Sequence, residues 1–210
     1  MLFHGPPGAG KTLTAESVSE HLRRPLYVLG AGDLGSKAEE VERHLDEALV
    51  RCSWWNAILL IDESDVFIEK RTMDSLERNE IVSVFLRLIE YHKGIMILTT
   101  NRIKTMDPAF ESRIDLMLAY DGLNHAGRKA LWRSILSSPT VGQNVIAMED
   151  SDYEILAAYS LNGRHIKSVA KVAVRLAESR NEPLKRQYLE EVIKIRLKAL
   201  QDIEESGRDD

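Results

Sequence analysis

The chain has 210 residues, with 28 basic and 33 acidic side chains and a formal net charge of −5. This length suffices for one domain and a smaller companion, and the acidic balance argues against a dedicated nucleic-acid-binding protein, which would carry a basic excess. Cys52 is the single cysteine, which excludes a disulfide framework and a multi-cysteine metal site, and no apolar run is long enough for a membrane span. We therefore predict a soluble intracellular protein, with the cytoplasm as the expected compartment and an organelle left open.

A glycine-rich loop follows the first four residues. Residues 5–12 read GPPGAGKT and fit the pattern Gly, four residues, Gly, Lys, Ser or Thr, which is typical of a phosphate-binding loop. Its glycines let the backbone approach an anion closely, and successive N–H groups attract phosphate together with the positive end of the following helix. Lys11 is predicted to reach the β- and γ-phosphates, and the Thr12 hydroxyl to bind Mg²⁺. The alternative is a Gly/Pro turn that happens to precede a helix.

Helices and strands alternate up to about Asp121. Strands are predicted at the tail of residues 1–4 and at residues 26–29, 57–61, 95–100 and 116–119, and helices at residues 11–22, 37–52, 75–92 and 107–110. Beyond Asp121 only helices are predicted, over residues 127–136, 151–159, 163–179 and 184–203, with Ser151 and Asn162 as N-caps. The sequence therefore predicts an α/β domain, residues 1–121, followed by an all-helical domain, residues 122–210.

Apolar residues at helical spacing predict the buried faces of these helices. Leu13, Val18 and Leu22 form a partial stripe on the helix behind the glycine-rich loop. On the next two helices the predicted buried residues are Val41, Leu45, Ala48 and Leu49, and then Leu76, Ile81, Val84, Phe85, Leu88 and Ile89. Trp54 and Trp55 are likewise expected to pack rather than to stack on a ligand.

Polar residues follow two of the apolar strands. Asp62 and Glu63 come directly after one strand, and Asn101 comes directly after the next. Ligands of open α/β sheets bind at the carboxyl ends of the strands, and a carboxylate there is costly unless it faces a cation or hydrogen-bond donors. Asp62 is predicted to hold Mg²⁺ opposite Thr12, and Glu63 to polarise the attacking water as a general base. Asn101 is predicted to orient a water or the γ-phosphate. A solvated acidic turn and an asparagine in an ordinary turn are the alternatives.

Five motifs in this order resemble those of an AAA+ ATPase module, and the resemblance covers nearly the whole chain. They are Walker A at residues 5–12, Walker B at 58–63, sensor 1 at 98–102, the arginine-finger segment at 106–113 and the start of the lid helix with sensor 2 at 161–164. Three further runs, at residues 24–27, 62–67 and 85–91, are similar to poorly characterised fungal AAA ATPases. The resemblance implies a P-loop NTPase fold, in which a parallel five-stranded sheet lies between helices and a small all-helical lid follows.

The resemblance also implies ATP hydrolysis, with ATP or ADP and Mg²⁺ as ligands. It implies a ring, usually a hexamer, that remodels a protein partner, with neither nucleic acid nor a membrane span involved. Arg113 would reach the γ-phosphate of a neighbouring subunit, and Arg164 would contact the nucleotide from the lid. A surface arginine and a solvated charge at a helix start are the alternatives for these two residues.

The motifs predict the following binding, catalytic and metal-ligating residues. Nucleotide binding is expected of Gly5, Pro6, Pro7, Gly8, Ala9, Gly10, Lys11, Thr12, Leu13 and Arg164. Catalysis is expected of Lys11, Glu63, Asn101 and Arg113, and metal binding of Thr12 and Asp62.

Three departures from the family pattern limit what the resemblance implies. Arg113 is the single arginine after residues 110–112, whereas many relatives have two. The loop at residues 30–36 has no aromatic residue, so we do not expect it to grip an extended polypeptide by intercalation. Four residues precede Gly5, so we expect an N-terminally truncated first strand and weak turnover by this chain alone.

Two other functions are compatible with these residues. One is a nucleotide-binding module that rarely hydrolyses ATP and acts as a switch or scaffold, which the short N-terminus and the single arginine favour. The other is a P-loop kinase for a small molecule, but the helical lid and the lack of a recognisable acceptor pocket argue against it. The six histidines show no metal-ligand spacing, so none is predicted to bind a metal.

Overall fold

The computed structural model describes residues 1–71, 75–138 and 148–206. The chain divides into two compact units, Met1–Asp121 and Gly122–Asp210. Strands and helices alternate in the first unit, whereas the described part of the second is helical. Each unit buries apolar residues in a core of its own.

The first unit contains a parallel sheet of five strands. They are β1 (Leu2–His4), β2 (Leu26–Gly30), β3 (Ile58–Asp62), β4 (Met96–Thr100) and β5 (Met117–Ala119), in the order β2-β3-β4-β1-β5. His4 of β1 lies opposite Thr100 of β4. Beside them β3 pairs with β4, with Ile61 opposite Leu98. The carboxyl ends of β1, β3 and β4 therefore lie next to one another, and the predicted parallel α/β fold is confirmed.

Helices connect these strands. Those described in the first unit are α1 (Lys11–Leu22), α2 (Ala31–Leu34), α3 (Ala38–Trp55), α4 (Asp65–Ile68) and α5 (Leu76–Tyr91), with 3₁₀ helices at Ile103–Thr105 and Pro108–Arg113. The sequence did not indicate α2 and α4, because a helix of four residues is too short to show a 3.6-residue period. The segment at 30–36, predicted as a loop, thus contains one turn of helix.

Both faces of the sheet are covered by apolar side chains. Leu59 and Ile61 of β3 belong to the larger cluster, which includes the stacked rings of Phe67 and Phe85 at 5.2 Å between centroids. Ile58 and Leu60 point to the opposite face and join a cluster with Phe3, Ala15 and Ile97. Alternate residues of β3 therefore enter different clusters, which explains why its sequence is apolar throughout.

The buried face of α1 differs from the predicted one. Lys11, Ala15 and Ser19 are buried, whereas Leu13 is 60 % exposed and Leu22 is also exposed. The predicted stripe is therefore wrong at the two leucines, whereas its third member, Val18, is partly buried and packs against the cluster that contains Ala15. Residues spaced by four share a helix face, and the small side chains of Ala15 and Ser19 allow α1 to lie close to the sheet. Close packing at this face thus outweighs the burial of two leucines.

Three other side chains expected to be buried are at the surface. Trp54 is 80 % exposed, and Trp55 and Leu76 are exposed as well. The ring of Trp55 contacts that of Tyr27, with 6.1 Å between centroids. Trp54 is therefore not packed in a core, whereas Trp55 packs against another ring of the protein at the surface.

The second unit packs helices around apolar residues. The described helices are α6 (His125–Leu136), α7 (Asp150–Ala158), α8 (Gly163–Ser179) and α9 (Arg186–Ser206). Asn162 caps α8 by accepting a hydrogen bond from His165 N at 2.8 Å, as predicted. Ser151 is not an N-cap, because α7 begins one residue earlier and Glu149 caps it. None of the described helices is long and apolar enough to cross a lipid bilayer.

Candidate functional site

The glycine-rich loop has a backbone that requires glycine at two points. Gly5 has φ 145°, and a Cβ atom built there would lie 2.1 Å from the carbonyl oxygen of Tyr120. Its N–H donates to the Thr100 carbonyl at 3.2 Å, which ties the loop to the end of β4. Gly10 has φ 103°, a left-handed conformation that side chains disfavour. The loop is therefore held between neighbouring strand ends in a shape that larger residues would disrupt.

The helix that follows begins without a side-chain cap. Gly10 is the N-cap residue of α1, it has no side chain to cap the helix, and the first turn contains no acidic residue. The first N–H groups of a helix lack partners within the helix and carry partial positive charge. A helix start of this kind, after a glycine-rich loop, suits an anion such as phosphate.

The Lys11 side chain crosses from the loop to the end of β4. Lys11 is only 7 % exposed, and its ammonium donates to the carbonyls of Gly5 at 2.7 Å and Pro6 at 2.9 Å. A third hydrogen bond goes to Asn101 Oδ1 at 2.7 Å. The structure thus brings together Lys11 and Asn101, which are 90 residues apart in the sequence. A buried ammonium with three oxygen acceptors is thus fixed beside the glycine-rich loop.

Thr12 and Asp62 meet beside this lysine. The Thr12 hydroxyl lies 3.1 Å from each carboxylate oxygen of Asp62. Among the described residues, no group of three or more His, Cys, Asp or Glu side chains has the arrangement of a metal site. Mg²⁺ commonly takes one or two protein oxygens and completes its shell with water and substrate phosphates. The oxygens of Thr12 and Asp62 fit that pattern of binding.

Thr99 of β4 links both acidic residues at the end of β3. Its hydroxyl donates to Asp62 Oδ1 and accepts a hydrogen bond from Glu63 N at 2.9 Å. Its carbonyl accepts two more, from the N–H and the hydroxyl of Ser64, each at 2.9 Å. The motifs assigned no individual role to Thr99 or Ser64, although Thr99 lies within the sensor 1 run at residues 98–102.

Glu63 has an unusual backbone conformation. Its φ is 55°, in the left-handed region that is uncommon for residues other than glycine. The chain turns there, so that the Glu63 side chain is exposed while Asp62 is only partly so. The two neighbouring carboxylates therefore have different surroundings.

Asp65 supports the end of β4 in the same region. Its Oδ1 accepts hydrogen bonds from the Thr100 hydroxyl and from the backbone N–H of Asn101, the latter at 3.1 Å. The Asn101 side chain in turn holds Lys11. A chain of hydrogen bonds thus runs from α4 through the end of β4 to the glycine-rich loop.

Arg113 is paired within its own unit. It ends the 3₁₀ helix Pro108–Arg113, and its Nε and Nη2 donate to Glu90 Oε2 at 3.1 and 2.8 Å. Its Nη1 donates to the Ala109 carbonyl at 3.0 Å. The guanidinium remains partly exposed. These contacts hold the Arg113 side chain in one orientation. They share no residue with the hydrogen bonds of Lys11 and Asp62.

The start of that 3₁₀ helix is fixed by a buried acid. Asp107 accepts hydrogen bonds from Ala109 N at 2.9 Å and from Arg71 Nε at 2.8 Å. Burial alone would raise the pKa of the Asp107 carboxyl, but the hydrogen bonds from Arg71 and Ala109 outweigh it, so its pKa lies below the ordinary value. Asp107 therefore anchors the segment that carries Arg113.

Arg164 belongs to the second unit. It is an exposed residue in the first turn of α8, two positions after the N-cap Asn162. Its contact with a nucleotide stays a prediction. Among the predicted site residues that the structure describes, hydrogen bonds thus join Lys11 with Gly5, Pro6 and Asn101, and Thr12 with Asp62.

A family model matches the first unit. Residues 1–121, which are more than half of the chain, match the model of the ATPase family associated with various cellular activities (AAA). This stretch contains the glycine-rich loop, the acidic end of β3, Asn101 and Arg113.

Several named proteins are similar over most of the chain. ATPase family AAA domain-containing protein 3B of Homo sapiens is 27 % identical over 73 % of this chain and 25 % of its own length. The proteasome-activating nucleotidase of Sulfurisphaera tokodaii is 28 % identical over 84 % of this chain and 47 % of its own length. A putative 26S proteasome regulatory subunit homologue of Methanothermobacter marburgensis is 27 % identical over 93 % of this chain and 54 % of its own. The chain thus spans about a quarter of the human relative and about half of the archaeal ones.

Proposed function

Because this chain belongs to the AAA family of ATPases, we propose that it binds ATP with Mg²⁺ and hydrolyses it to remodel a macromolecular partner. The observation that supports this most is the meeting of four residues at the ends of β3 and β4. Lys11 Nζ lies 2.7 Å from Asn101 Oδ1, and Thr12 Oγ1 lies 3.1 Å from both oxygens of Asp62. An ammonium, a hydroxyl, a carboxylate and an amide in one place suit a triphosphate with its cation.

The phosphates would be bound by the loop and the start of α1, residues 5–13. The backbone N–H groups there donate to phosphate oxygens, and the helix dipole adds positive potential. Lys11 would exchange one of its present oxygen acceptors for a phosphate oxygen, so its charge is compensated before and after binding. The positive charge of Lys11 would thus lie at the β- and γ-phosphates.

Thr12 and Asp62 would hold Mg²⁺, which when bound neutralises negative charge on the β- and γ-phosphates. Asp62 would supply the negatively charged oxygen and Thr12 a neutral one. The hydrogen bond from Thr99 orients the Asp62 carboxylate for this task.

Glu63 and Asn101 would act on the attacking water. The exposed Glu63 carboxylate accepts the water proton while the water oxygen forms a bond to the γ-phosphorus. The bond from that phosphorus to the β-γ bridging oxygen breaks, which releases ADP and inorganic phosphate. The Asn101 amide, held in place through its backbone bond to Asp65, orients the water or the γ-phosphate.

Arg113 would complete the site of a neighbouring subunit. Its guanidinium would stabilise the charge that develops on the transferred phosphoryl group. In this chain it is paired with Glu90, which is half-exposed, and ion pairs of that kind contribute little to stability. Arg113 can therefore exchange Glu90 for a phosphate at little energetic cost. The phosphate would belong to a neighbouring subunit, so the exchange requires a ring, which we propose to be a hexamer.

The partner is proposed to be a protein. The archaeal relative in Sulfurisphaera tokodaii is named as an activator of the proteasome, which supports a protein partner here. We also propose that Arg164 contacts the bound nucleotide. The loop at 30–36 lacks an aromatic residue, so a partner would be contacted in some way other than aromatic intercalation.

ATP turnover measured over a range of protein concentrations tests this proposal. Specific activity should rise with concentration, because each site needs a neighbour. Glu63→Gln should bind ATP yet lose at least about 100-fold in turnover, and Arg113→Ala should lose about 1000-fold with binding retained. Lys11→Ala should lose nucleotide binding itself. Arg87→Ala is the matched control, because Arg87 is another arginine paired with a glutamate on the surface of this unit.

Mixing two inactive variants tests the contribution of the neighbour directly. Lys11→Ala subunits keep Arg113, and Arg113→Ala subunits keep an intact nucleotide site, so the mixture should regain activity. Full activity of Arg113→Ala alone would contradict the role of the neighbouring subunit, and so would a mixture that stays inactive although the two variants assemble together. Tight ATP binding without turnover at any concentration would instead support the switch or scaffold.

A further inference from the structure

We propose that Thr99 is a positioning residue of this site, whose hydroxyl orients the Asp62 carboxylate for Mg²⁺ and fixes the backbone of Glu63. This inference rests on the proposed function, because it concerns two residues to which that function assigns roles. Thr99 would touch neither the nucleotide nor the metal, and it would act through Asp62 and Glu63.

The hydroxyl makes its two hydrogen bonds at the same time. A threonine hydroxyl has one hydrogen and two lone pairs. The hydrogen goes to Asp62 Oδ1, and a lone pair accepts from Glu63 N at 2.9 Å. Thr99 is only 1 % exposed, so water has little access to replace either bond. One buried oxygen atom therefore sets the position of two consecutive residues.

Asp62 depends on this bond for its orientation. The carboxyl torsion of an aspartate is broad and has no sharp minimum of its own. Thr12 donates to both of its oxygens from α1, and Thr99 donates to Oδ1 from β4. If Thr12 directs its oxygen to a metal ion, the bond from Thr99 is the one that still holds the Asp62 carboxylate among the hydrogen bonds of the described residues.

Glu63 depends on the same hydroxyl for its backbone. Its φ of 55° is sparsely populated by residues with side chains and persists only where the surroundings impose it. The acceptor for its N–H is Thr99 Oγ1. Without that acceptor the residue can relax to an ordinary conformation, which would move its carboxylate.

A purely structural role would not require the hydroxyl. Valine has nearly the shape of threonine and suits a strand, and the preceding residues Ile97 and Leu98 are apolar and buried. A buried hydroxyl is costly unless it is hydrogen-bonded, and the partners of this one are the two acids. The bonds from Ser64 go to the Thr99 carbonyl, which valine retains. Thr99→Val therefore removes the interaction and keeps the strand.

Binding of a fluorescent ATP analogue, measured with and without Mg²⁺, tests the proposal. Thr99→Val should leave the metal-free affinity unchanged, and the gain in affinity on adding Mg²⁺ should fall about tenfold, as is typical when a group that orients a metal ligand is lost. Turnover should fall by a similar factor. Thr99→Ser should restore both to within about twofold, because it keeps the hydroxyl.

Ser19→Ala is the matched control. Ser19 is also buried in this unit, and its hydroxyl donates to the Arg24 carbonyl at 2.9 Å, beyond the other end of α1. It should lose as much thermal stability as Thr99→Val and none of the Mg²⁺ effect.

Three results would overturn the inference. They are an unchanged Mg²⁺ gain and turnover in Thr99→Val, an equal loss in Ser19→Ala, or no recovery in Thr99→Ser. If the unmodified chain itself shows no Mg²⁺-dependent nucleotide binding, the proposed function fails first, and that outcome is distinct from the other three.

Discussion

The two units treat polar side chains in different ways. Among the described residues, the buried polar or charged side chains all belong to the first unit: Lys11, Ser19, Ser64, Thr99, Thr100 and Asp107. The buried residues described in the second unit are apolar or aromatic. Its charged residues instead form ion pairs at the surface, such as that of Arg180 with Glu191 at 3.3 Å.

This difference suggests that buried polar side chains serve the candidate site in the first unit, whereas apolar packing stabilises the second unit. A buried polar group is costly unless it is hydrogen-bonded, whereas an exposed ion pair costs and contributes little. In the first unit Lys11 and Thr99 contact Asn101, Asp62 and Glu63 directly. We therefore expect stability of the second unit to depend on apolar packing, and polar substitutions to have large effects only in the first.

The largest expected effect is in the apolar core of the second unit. Trp132 is 0 % exposed, and Trp132→Ala should lower the free energy of unfolding of this unit by about 4 kcal/mol, because a large cavity is left. Urea unfolding followed by circular dichroism measures it. Trp132→Phe is the control, since it keeps an aromatic ring and removes an indole N–H that has no acceptor among the described residues. A loss below about 1 kcal/mol in the alanine variant would contradict this view of the unit.

The next effect concerns a buried acid of the first unit. Asp107→Ala removes the acceptor of Ala109 N and of Arg71, and it should lower the free energy of unfolding of the first unit by about 3 kcal/mol. The same denaturation experiment applies. Asp107→Asn keeps one acceptor oxygen and should lose clearly less. If both variants unfold like the unmodified chain, buried polar contacts are not what stabilises this segment.

The dependence of stability on pH should show a smaller effect, whose direction follows from the lowered pKa of Asp107. The pKa of Asp107 lies below its ordinary value in the folded chain, mainly because the hydrogen bonds from Arg71 and Ala109 overcome the effect of burial. A lowered carboxyl pKa stabilises the fold above the pKa of the unfolded chain, and this contribution is lost as pH falls through the folded pKa. The thermal midpoint of Asp107→Asn should therefore fall less steeply in acid than that of the unmodified chain. Parallel curves would contradict this.

The smallest effect is expected at the ion pairs of the second unit. Lys129 contacts Asp150 and Glu154, and hydrogen bonds to these two carboxylates raise its pKa. Lys129→Ala should nevertheless shift the thermal midpoint little, because both carboxylates are exposed to water and are therefore screened by salt. Repeating the melt at high salt should leave no difference. A large, salt-dependent fall in the thermal midpoint would contradict the difference that we expect between the two units.

The sequence by itself determined the fold class, and it predicted where a nucleotide site would lie. The apolar runs that became β3 and β4 predicted a parallel sheet, because strands covered on both faces must be apolar throughout. Residues 5–12 predicted a glycine-rich loop with phosphate-binding chemistry. The structure has glycine at two positions of this loop, with φ 145° and 103°, where a side chain would be unfavourable. These are local properties, which depend on residue type and spacing along the chain.

The tertiary structure decided which face of α1 is buried and which side chains hold the acidic residues. Leucines at helical spacing predicted one face, but close packing selected Lys11, Ala15 and Ser19. Thr99 meets Glu63 from 36 residues away, and Arg113 meets Glu90 from 23 residues away. Such contacts depend on the order and register of neighbouring strands and helices. Those are set by packing over the whole unit, and no short stretch of sequence encodes them.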